Sequence, residues 1–378
     1  MLYKFLKLIK FLYLRLRGKV KLGAPEKSHI AILDECSHEW LLDLLEGRAF
    51  AIVGNPGNVF YVNAHIFKSF TKWFFKTDHP SIAYSIALIE VIEPKVVLTI
   101  IDNSSLFYEV SRHCKHIRFI AIQNANRLDI PFLTPDEARK IHIPEFACFG
   151  EYERDLYTSV KASVKNFYPI GSLRDAMYRE KYPIHPQKEY DVCVVSEPTL
   201  NGDTVWFPGV EMSVVMILDY AIRFCEKHKL KLCVAGKRFG PHFENEKKWY
   251  EAHLGREIDF VAPIRFEYST PRLIDQSAVS LAQVSTALRE GMGRGNRVLF
   301  CNYSENKNFD FPVDGLWFLK DPSFAAFEQR MLTLLQMSDS EFQEVAGDTA
   351  KYIVNYDSSA PTNKFLTKLI RDAVSSQM

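Results

Sequence analysis

The sequence contains no HExxH, no HxH and no DxD triplet, the short spacings by which helices and loops bring metal ligands together, so a metal centre is not expected. It has no GxSxG elbow and no GxxxxGK[ST] loop, which argues against an α/β-hydrolase and a P-loop kinase. Seven cysteines (Cys36, Cys114, Cys148, Cys193, Cys225, Cys233, Cys301) include no CxxC pair and stand mostly in apolar runs. An odd set with such neighbours predicts buried thiols in a reducing compartment and no disulfide framework. The eleven histidines are scattered; His38, His65, His79 and His113 read as surface or core residues. Internal repeats and low-complexity tracts are also missing.

Acidic residues are absent from the first 25 positions, where Lys4, Lys7, Lys10, Arg15, Arg17, Lys19 and Lys21 precede Glu26. The net charge of +1 hides this asymmetry: the rest of the chain has 40 basic against 46 acidic residues. A body of net charge −6 is a poor nucleic-acid binder, and no nucleic-acid partner is expected. Lysines interrupt the N-terminal apolar residues, leaving neither the unbroken stretch nor the small-residue cleavage site of a signal peptide. On a helical projection Leu2, Phe5, Ile9, Leu12 and Leu16 share one face and Lys4, Lys7, Lys10 and Arg17 populate the other side. That pattern predicts a helix lying on an anionic membrane surface through residues 2–21. The alternative is an ordinary helix packed on its own domain.

A length of 378 residues, with 47% hydrophobic and 25% charged, suits two globular domains with separate cores. From His29 onward, short apolar runs alternate with helical patterns, the rhythm of an α/β fold with mostly parallel sheets. Strands are predicted at 29–33, 49–53, 95–101, 118–123, 146–149 and 166–168. After a polar stretch at 179–189 with Pro183 and Pro186, the rhythm restarts with strands at 190–195, 231–235, 258–261, 277–282 and 297–301. The expected organisation is a basic amphipathic helix (1–25), a Rossmann-like domain (26–185), a second one (186–322) facing it across a cleft, and C-terminal helices (323–378).

Polar residues that end apolar strands are the candidates for chemistry, because such sheets place ligands at the carboxyl ends of their strands. Asp102 and Asn103 follow the run Lys95 to Ile101, and Asp102 could act as base, nucleophile, acceptor-binding group or helix cap. Gln123, Asn124 and Arg127 follow the next run and suit hydroxyl or carboxylate recognition, unless the turn is only solvated. Glu197 ends the first strand of the second half, a candidate acid/base or a linker contact. Lys237 and Arg238 follow Gly236 and would offset a phosphate as its bond breaks; surface cations are the alternative. Gly54 to Asn58 reads as a loop able to touch a ligand through its backbone. The segment Ser285-Thr286-Ala287-Leu288-Arg289-Glu290-Gly291-Met292-Gly293-Arg294-Gly295 puts a Ser-Thr turn before a short helix. Free backbone N–H groups at such a helix start attract an anion, and Glu290 stands one turn further on.

Together, Leu98 to Asn103, Ala121 to Asn124, and Arg272 to Ser277 leading into Ser285 to Glu290 resemble bacterial surface-carbohydrate biosynthesis proteins over about residues 29–320. These are transferases of the GT-B fold, active in lipopolysaccharide or capsule assembly; members carry glycine after the Gln-Asn pair, where this chain has Ala125. The resemblance implies a nucleotide-sugar donor in the second domain, with phosphate at Ser285 and Thr286 and ribose at Glu290. It also implies a lipid-linked or oligosaccharide acceptor in the first domain, no further cofactor, and work at the cytoplasmic face of the inner membrane. CMP-activated 3-deoxy-octulosonate, a UDP sugar or a GDP sugar would each fit as donor. Transfer of a polyol phosphate, epimerisation of a nucleotide sugar, and a non-catalytic glycan-binding scaffold are the alternatives on the same frame.

Overall fold

The computed structural model describes residues 2–33, 38–53, 59–183, 187–198, 209–264, 266–357 and 359–375. Cys36 and the Gly54 to Asn58 loop lie outside the described residues. In the first half, β2 (Ile30–Leu33), β3 (Ala51–Val53), β5 (Val96–Thr99), β6 (Arg118–Ile122), β7 (His142–Cys148) and β8 (Ser163–Pro169) form a parallel sheet in the order β3-β2-β5-β6-β7-β8. Strands β2 and β5 are buried along their whole length, as a parallel sheet covered on both faces requires. Alternation divides their side chains between two cores. Ala31, Leu33, Val97, Phe119 and Ala121 enter one, while Ile30, Ile32, Val96, Leu98, Ile120 and Ile122 enter the other, because successive side chains of a strand point to opposite faces.

The second half repeats the plan. Strands β9 (Tyr190–Val195), β10 (Leu232–Ala235), β11 (Phe260–Val261), β12 (Ser277–Ala282), β13 (Val298–Cys301) and β14 (Phe318–Leu319) are parallel in the order β11-β10-β9-β12-β13-β14. Both sheets are doubly wound: the strand order reverses between β2 and β5 in the first and between β9 and β12 in the second. The six described cysteines are buried and unpaired, and burial pushes the thiols of Cys114, Cys225 and Cys301 up to about 12.

Helix α1 (Leu2–Leu16) leads into β1 (Lys19–Leu22), which pairs in parallel with β4 (Val59–Val62) as a separate two-stranded ribbon. Helices α2 (Ala64–Phe74) and α3 (Pro80–Ile92) follow. Almost every side of α3 is apolar and buried, since α1 and α2 cover what the sheet does not. Phe11 is the side chain of α1 that enters this core, against Phe60, Phe70 and Tyr84. The inward face of α1 is therefore centred on Phe11, with Leu8 and Leu12 beside it, and the projected face of Phe5, Ile9 and Leu16 is left exposed.

Helices α4 (Ser105–His113), α5 (Glu151–Ser159) and α6 (Leu173–Lys181) complete the first half, and α7 (Val210–His228), α8 (Pro241–Leu254), α9 (Ser269–Asp275), α10 (Thr286–Gly293), α11 (Phe324–Gln336) and α12 (Asp339–Ile353) cover the second sheet. The last helix, α13 (Thr362–Ser375), behaves differently from a C-terminal appendage. Its Leu366, Ile370 and Ala373 fill the core on Ile30, Ile32, Val96 and Leu98. The chain crosses back, and its end is part of the first domain. The sequence pattern marks residues 323–378 as helices, but an amphipathic stripe does not say which sheet it will cover.

The other strand differences are at edges. Strand β8 extends from Ser163 to Pro169 and β7 from His142, because the two pair along their full length; polar residues alternate along β8, so its apolar signal is short. Strands β1, β4 and β14 were not expected: β1 is exposed throughout and β14 is two residues long.

Candidate functional site

In an open α/β sheet the crevice lies where strand order reverses, outside the carboxyl ends. Here the carboxyl edges of the two sheets meet, and the contact is built from the loops that sequence reasoning singled out. Asn126, just after β6, bridges the halves. Its N–H donates to Thr286 Oγ1 (3.2 Å), its Nδ2 to the Val284 carbonyl (2.7 Å), and its Oδ1 accepts from Arg289 (3.2 Å). Arg289 also donates to buried Glu153 (2.6 Å) and to the Ile353 carbonyl (3.0 Å). Gln123 closes this network, donating to Glu153 Oε1 (3.2 Å) and accepting the Phe149 N–H (2.8 Å).

Asp102 is placed at the carboxyl end of β5, but it is fully buried and both its oxygens accept from the Arg127 guanidinium. Burial pushes its carboxyl upward and the Arg127 charge pulls it back. A carboxylate so enclosed is not a base within reach of substrate in this conformation; it fixes Arg127 at the rim. Nor is it the helix cap, since Ser104 Oγ accepts the Phe107 N–H (3.3 Å) at the start of α4. Arg127 also donates to Asn124 Oδ1 (3.0 Å), and Arg174 to the Asn124 carbonyl. Asn103 is exposed on the same edge.

Glu197 is half-buried at the end of β9. Its carboxylate accepts the N–H groups of Gln283 (2.6 Å) and Val284 (3.0 Å), tying the end of β9 to the end of β12 at the reversal point. Burial raises its pKa, opposed first by the Lys237 charge and then by the two N–H groups. Lys237 and Arg238 belong to a loop whose N–H groups donate to buried Glu246 (2.9 and 2.7 Å). That cradle leaves the Lys237 side chain exposed and the Arg238 side chain half-buried. Ser285 caps α10, its Oγ accepting the Leu288 N–H (3.4 Å). The first backbone N–H groups of α10 have no partner within the helix itself, and this capped helix start sits at the junction of the halves.

Glu290 departs most from expectation. Its carboxylate is buried and accepts the Ser172 hydroxyl of the first half through Oε1, so it clasps the domains. Burial raises its pKa above the ordinary 4.5, Arg174 opposing and Asp175 reinforcing. A carboxyl whose folded pKa is raised contributes most below its unfolded value and loses that contribution as pH climbs toward the folded one. Glu290→Gln should therefore unfold at pH 7 at a midpoint equal to or above wild type. Its stability should also fall less between pH 4.5 and pH 7; a steeper fall in denaturant titrations would contradict this assignment. The glycines of the motif serve packing: a Cβ on Gly293 would come within 2.4 Å of the Tyr356 ring.

Beside the Asn126 bridge lies a pocket of about 370 Å³, within the size range of small-molecule sites. Arg127, Phe132, Gln283, Arg289, Lys307 and Phe309 are among its walls. It mixes aromatic rings with amides and cations, and two buried polar atoms of its walls, Gln283 Oε1 and Arg289 Nε, have no protein partner. Asn126, Glu153, Gln283 and Arg289 were not assigned from sequence. Gln283 carried the same signal as Asp102, a polar residue ending a buried strand, and Arg289 lies one turn beyond Thr286. Glu153 had none, since a glutamate in the first turn of a helix is usually a solvated partner of the helix dipole.

No protein-family model matches the chain, and no curated protein sequence does. Solved structures do match in fold. They include Anabaena HepE in complex with UDP and glucose (TM-score 0.52, 12% identity, 93% of this chain and 100% of that one). The wall teichoic acid polymerase TagF is similar too (0.51, 12%, 99% and 97%). So is the Methanocaldococcus jannaschii UDP-GlcNAc 2-epimerase in complex with UDP-GlcNAc and UDP (0.52, 10%, 92% and 99%). The chain thus has the GT-B fold: two Rossmann-like domains facing one another, an architecture shared by glycosyltransferases and nucleotide-sugar epimerases.

Proposed function

We propose that the protein is a glycosyltransferase that moves a sugar from a nucleotide-activated donor to a lipid-linked surface-glycan acceptor, at the cytoplasmic face of a bacterial inner membrane. The observation that carries this reading is the meeting of the two reversal-point edges at the α10 turn, next to a pocket of about 370 Å³. The donor phosphate would rest on the first N–H groups of α10 at Ser285 and Thr286, with Lys237 and Arg238 supplying positive charge as the bond to the leaving phosphate breaks. Asn103, Asn124 and Arg127 would face the acceptor from the first half. Asp102 and Glu197 would act by position: the first holds Arg127, the second shapes the turn before Ser285. Bringing donor and acceptor into one cleft contributes by proximity and orientation, and the Asn126 and Ser172 contacts across the halves would open and re-form as ligands come and go.

A thermal-shift panel of CMP, CDP, UDP, GDP and ADP tests the donor site. One nucleotide is expected to raise the melting temperature, since a ligand at a hundred times its Kd adds about 2.7 kcal/mol to the folded state. Lys237→Ala, at an exposed position, should leave the unliganded melting temperature unchanged and weaken that nucleotide roughly 10- to 100-fold, the worth of a charge-assisted hydrogen bond. A panel without any shift would remove the donor-site assignment. Conversion of a nucleotide sugar to its epimer without an acceptor would replace transfer by epimerisation.

A further inference from the structure

The outward face of α1 is apolar without interruption through Phe5, Leu6, Ile9, Tyr13 and Leu16, all exposed; Ile9 is 63% and Tyr13 56% accessible. Helix α2 runs alongside, joined through Phe5–Phe74 and Phe11–Phe70 contacts, and adds exposed Phe67 and Phe75. Cations border this surface. Lys10 is exposed on α1 and Arg17 just after it, Lys68 on α2 and Lys76 just after it. Among the described residues none of these four, nor Lys7, forms an ion pair with an acid; the acids nearby in sequence are Glu26, Asp78 and Glu90, the last engaged by Ser69, Lys72 and Trp73. Between α1 and the start of α3 runs a groove of about 640 Å³ whose walls combine Leu6 and Leu14 with Lys7, Lys10 and Arg15. Rings and aliphatic chains beside Lys7, Lys10, Arg17, Lys68 and Lys76 match an interface with apolar chains below and phosphates above. No helix among the described residues is long and apolar enough to cross a membrane.

We propose that α1 and α2 form one docking face on which the protein lies against an anionic phospholipid bilayer, the α1 side chains entering the acyl boundary and Lys7 and Lys10 meeting lipid phosphates in the groove. The role of this face in presenting a lipid-linked acceptor rests on the transferase reading; the binding itself does not. It goes beyond a single surface helix, because the ribbon β1–β4 and the α1–α2–α3 packing hold the face rigidly on the first domain. Docking then turns that domain's rim in a fixed direction relative to the membrane.

Sedimentation of the full chain with vesicles of phosphatidylcholine, alone or mixed with phosphatidylglycerol, tests the proposal. Binding is expected on the anionic vesicles, weak on neutral ones, and declining as salt screens the cations. Ile9→Glu with Tyr13→Glu should abolish it while the melting temperature holds, both positions being exposed. Lys7→Gln with Lys10→Gln should cost roughly tenfold or more on anionic vesicles alone, and Phe67→Ser should also weaken binding; unchanged binding would remove α2 from the face. Lys165→Gln, on the far edge strand β8, should change nothing. Three results would overturn the proposal: no wild-type binding at low salt, vesicle binding that survives Ile9→Glu with Tyr13→Glu, or concentration-dependent self-association without lipid that this double variant abolishes. The last would assign the face to a second copy of the chain. Nucleotide shifts retained in the non-binding variants would show that the donor reading stands or falls separately.

Discussion

Arg294→Ala is expected to lower the unfolding free energy by about 3–5 kcal/mol, the cost of removing one partner from a buried ion pair. Arg294 follows α10 and is almost wholly enclosed. Its guanidinium donates to Asp275 Oδ1 (2.9 Å) and to Asp175 of α6, and it stacks over the Tyr178 ring at 5.0 Å. Asp275 would keep two other donors, the Tyr178 hydroxyl (2.6 Å) and Asn296 Nδ2 (2.7 Å). Asp175 would lose its cation while remaining buried, and burial already holds its carboxyl above the ordinary range. The sign of the pH effect follows. Without Arg294 the Asp175 pKa rises further, so the variant gains from protonation on folding, and its deficit against wild type should shrink on going from pH 7 to pH 5. Because Asp175 and Arg294 stand on opposite halves, the variant should also loosen the domains. Denaturant titrations at the two pH values, with Asp175→Asn and the double variant to complete the cycle, measure this. A loss under 1 kcal/mol, or a deficit that grows on acidification, would rule out the clamp.

Leu366→Ala should cost about 2–5 kcal/mol, as large-to-small changes in a closed core do. Leu366 is fully buried on the face of the first sheet that Ile30, Ile32, Val96 and Leu98 present. Ending the chain at residue 360 should be more severe, because it removes all of α13 from the core it shares with Leu41, Leu44, Leu45 and Leu173 and exposes much of a sheet face that must be covered. The shortened protein is expected to be insoluble or to lack a cooperative transition, whereas a true appendage could be removed with little effect. Phe365→Ala, on the same helix but at its outer side against Tyr168, should cost less than Leu366→Ala.

Much of the fold was legible. The runs at 96–99, 190–195 and 277–282 are strands because a strand covered on both faces is mostly apolar, and such runs need no partner to be recognised. The restart after residue 189 marks the second domain for the same reason. The carboxyl-end logic also picked loops at strand ends: Gln123 to Arg127, Glu197, Lys237 and Ser285 all follow the carboxyl ends of sheet strands. It did not find what each carboxylate touches. Asp102, Glu197 and Glu290 read equally well as reactive or structural until their partners are known, and those partners, Arg127, the Gln283 and Val284 amides and Ser172, come from other strands or from the other half.

What the sequence determined by itself is local and periodic: two doubly wound α/β halves, buried thiols, a capped turn before α10, and a basic N-terminal helix with apolar sides. Tertiary structure decided the rest. Only packing could show that α13 closes the first domain, that α1 buries Phe11 and leaves Ile9 outward, and that Asn126 and Arg289 join the halves. The physical reason is that periodicity records whether a side chain is buried, whereas a contact between residues more than a hundred positions apart depends on how whole sheets and helices are stacked, and one chain's pattern is compatible with many stackings.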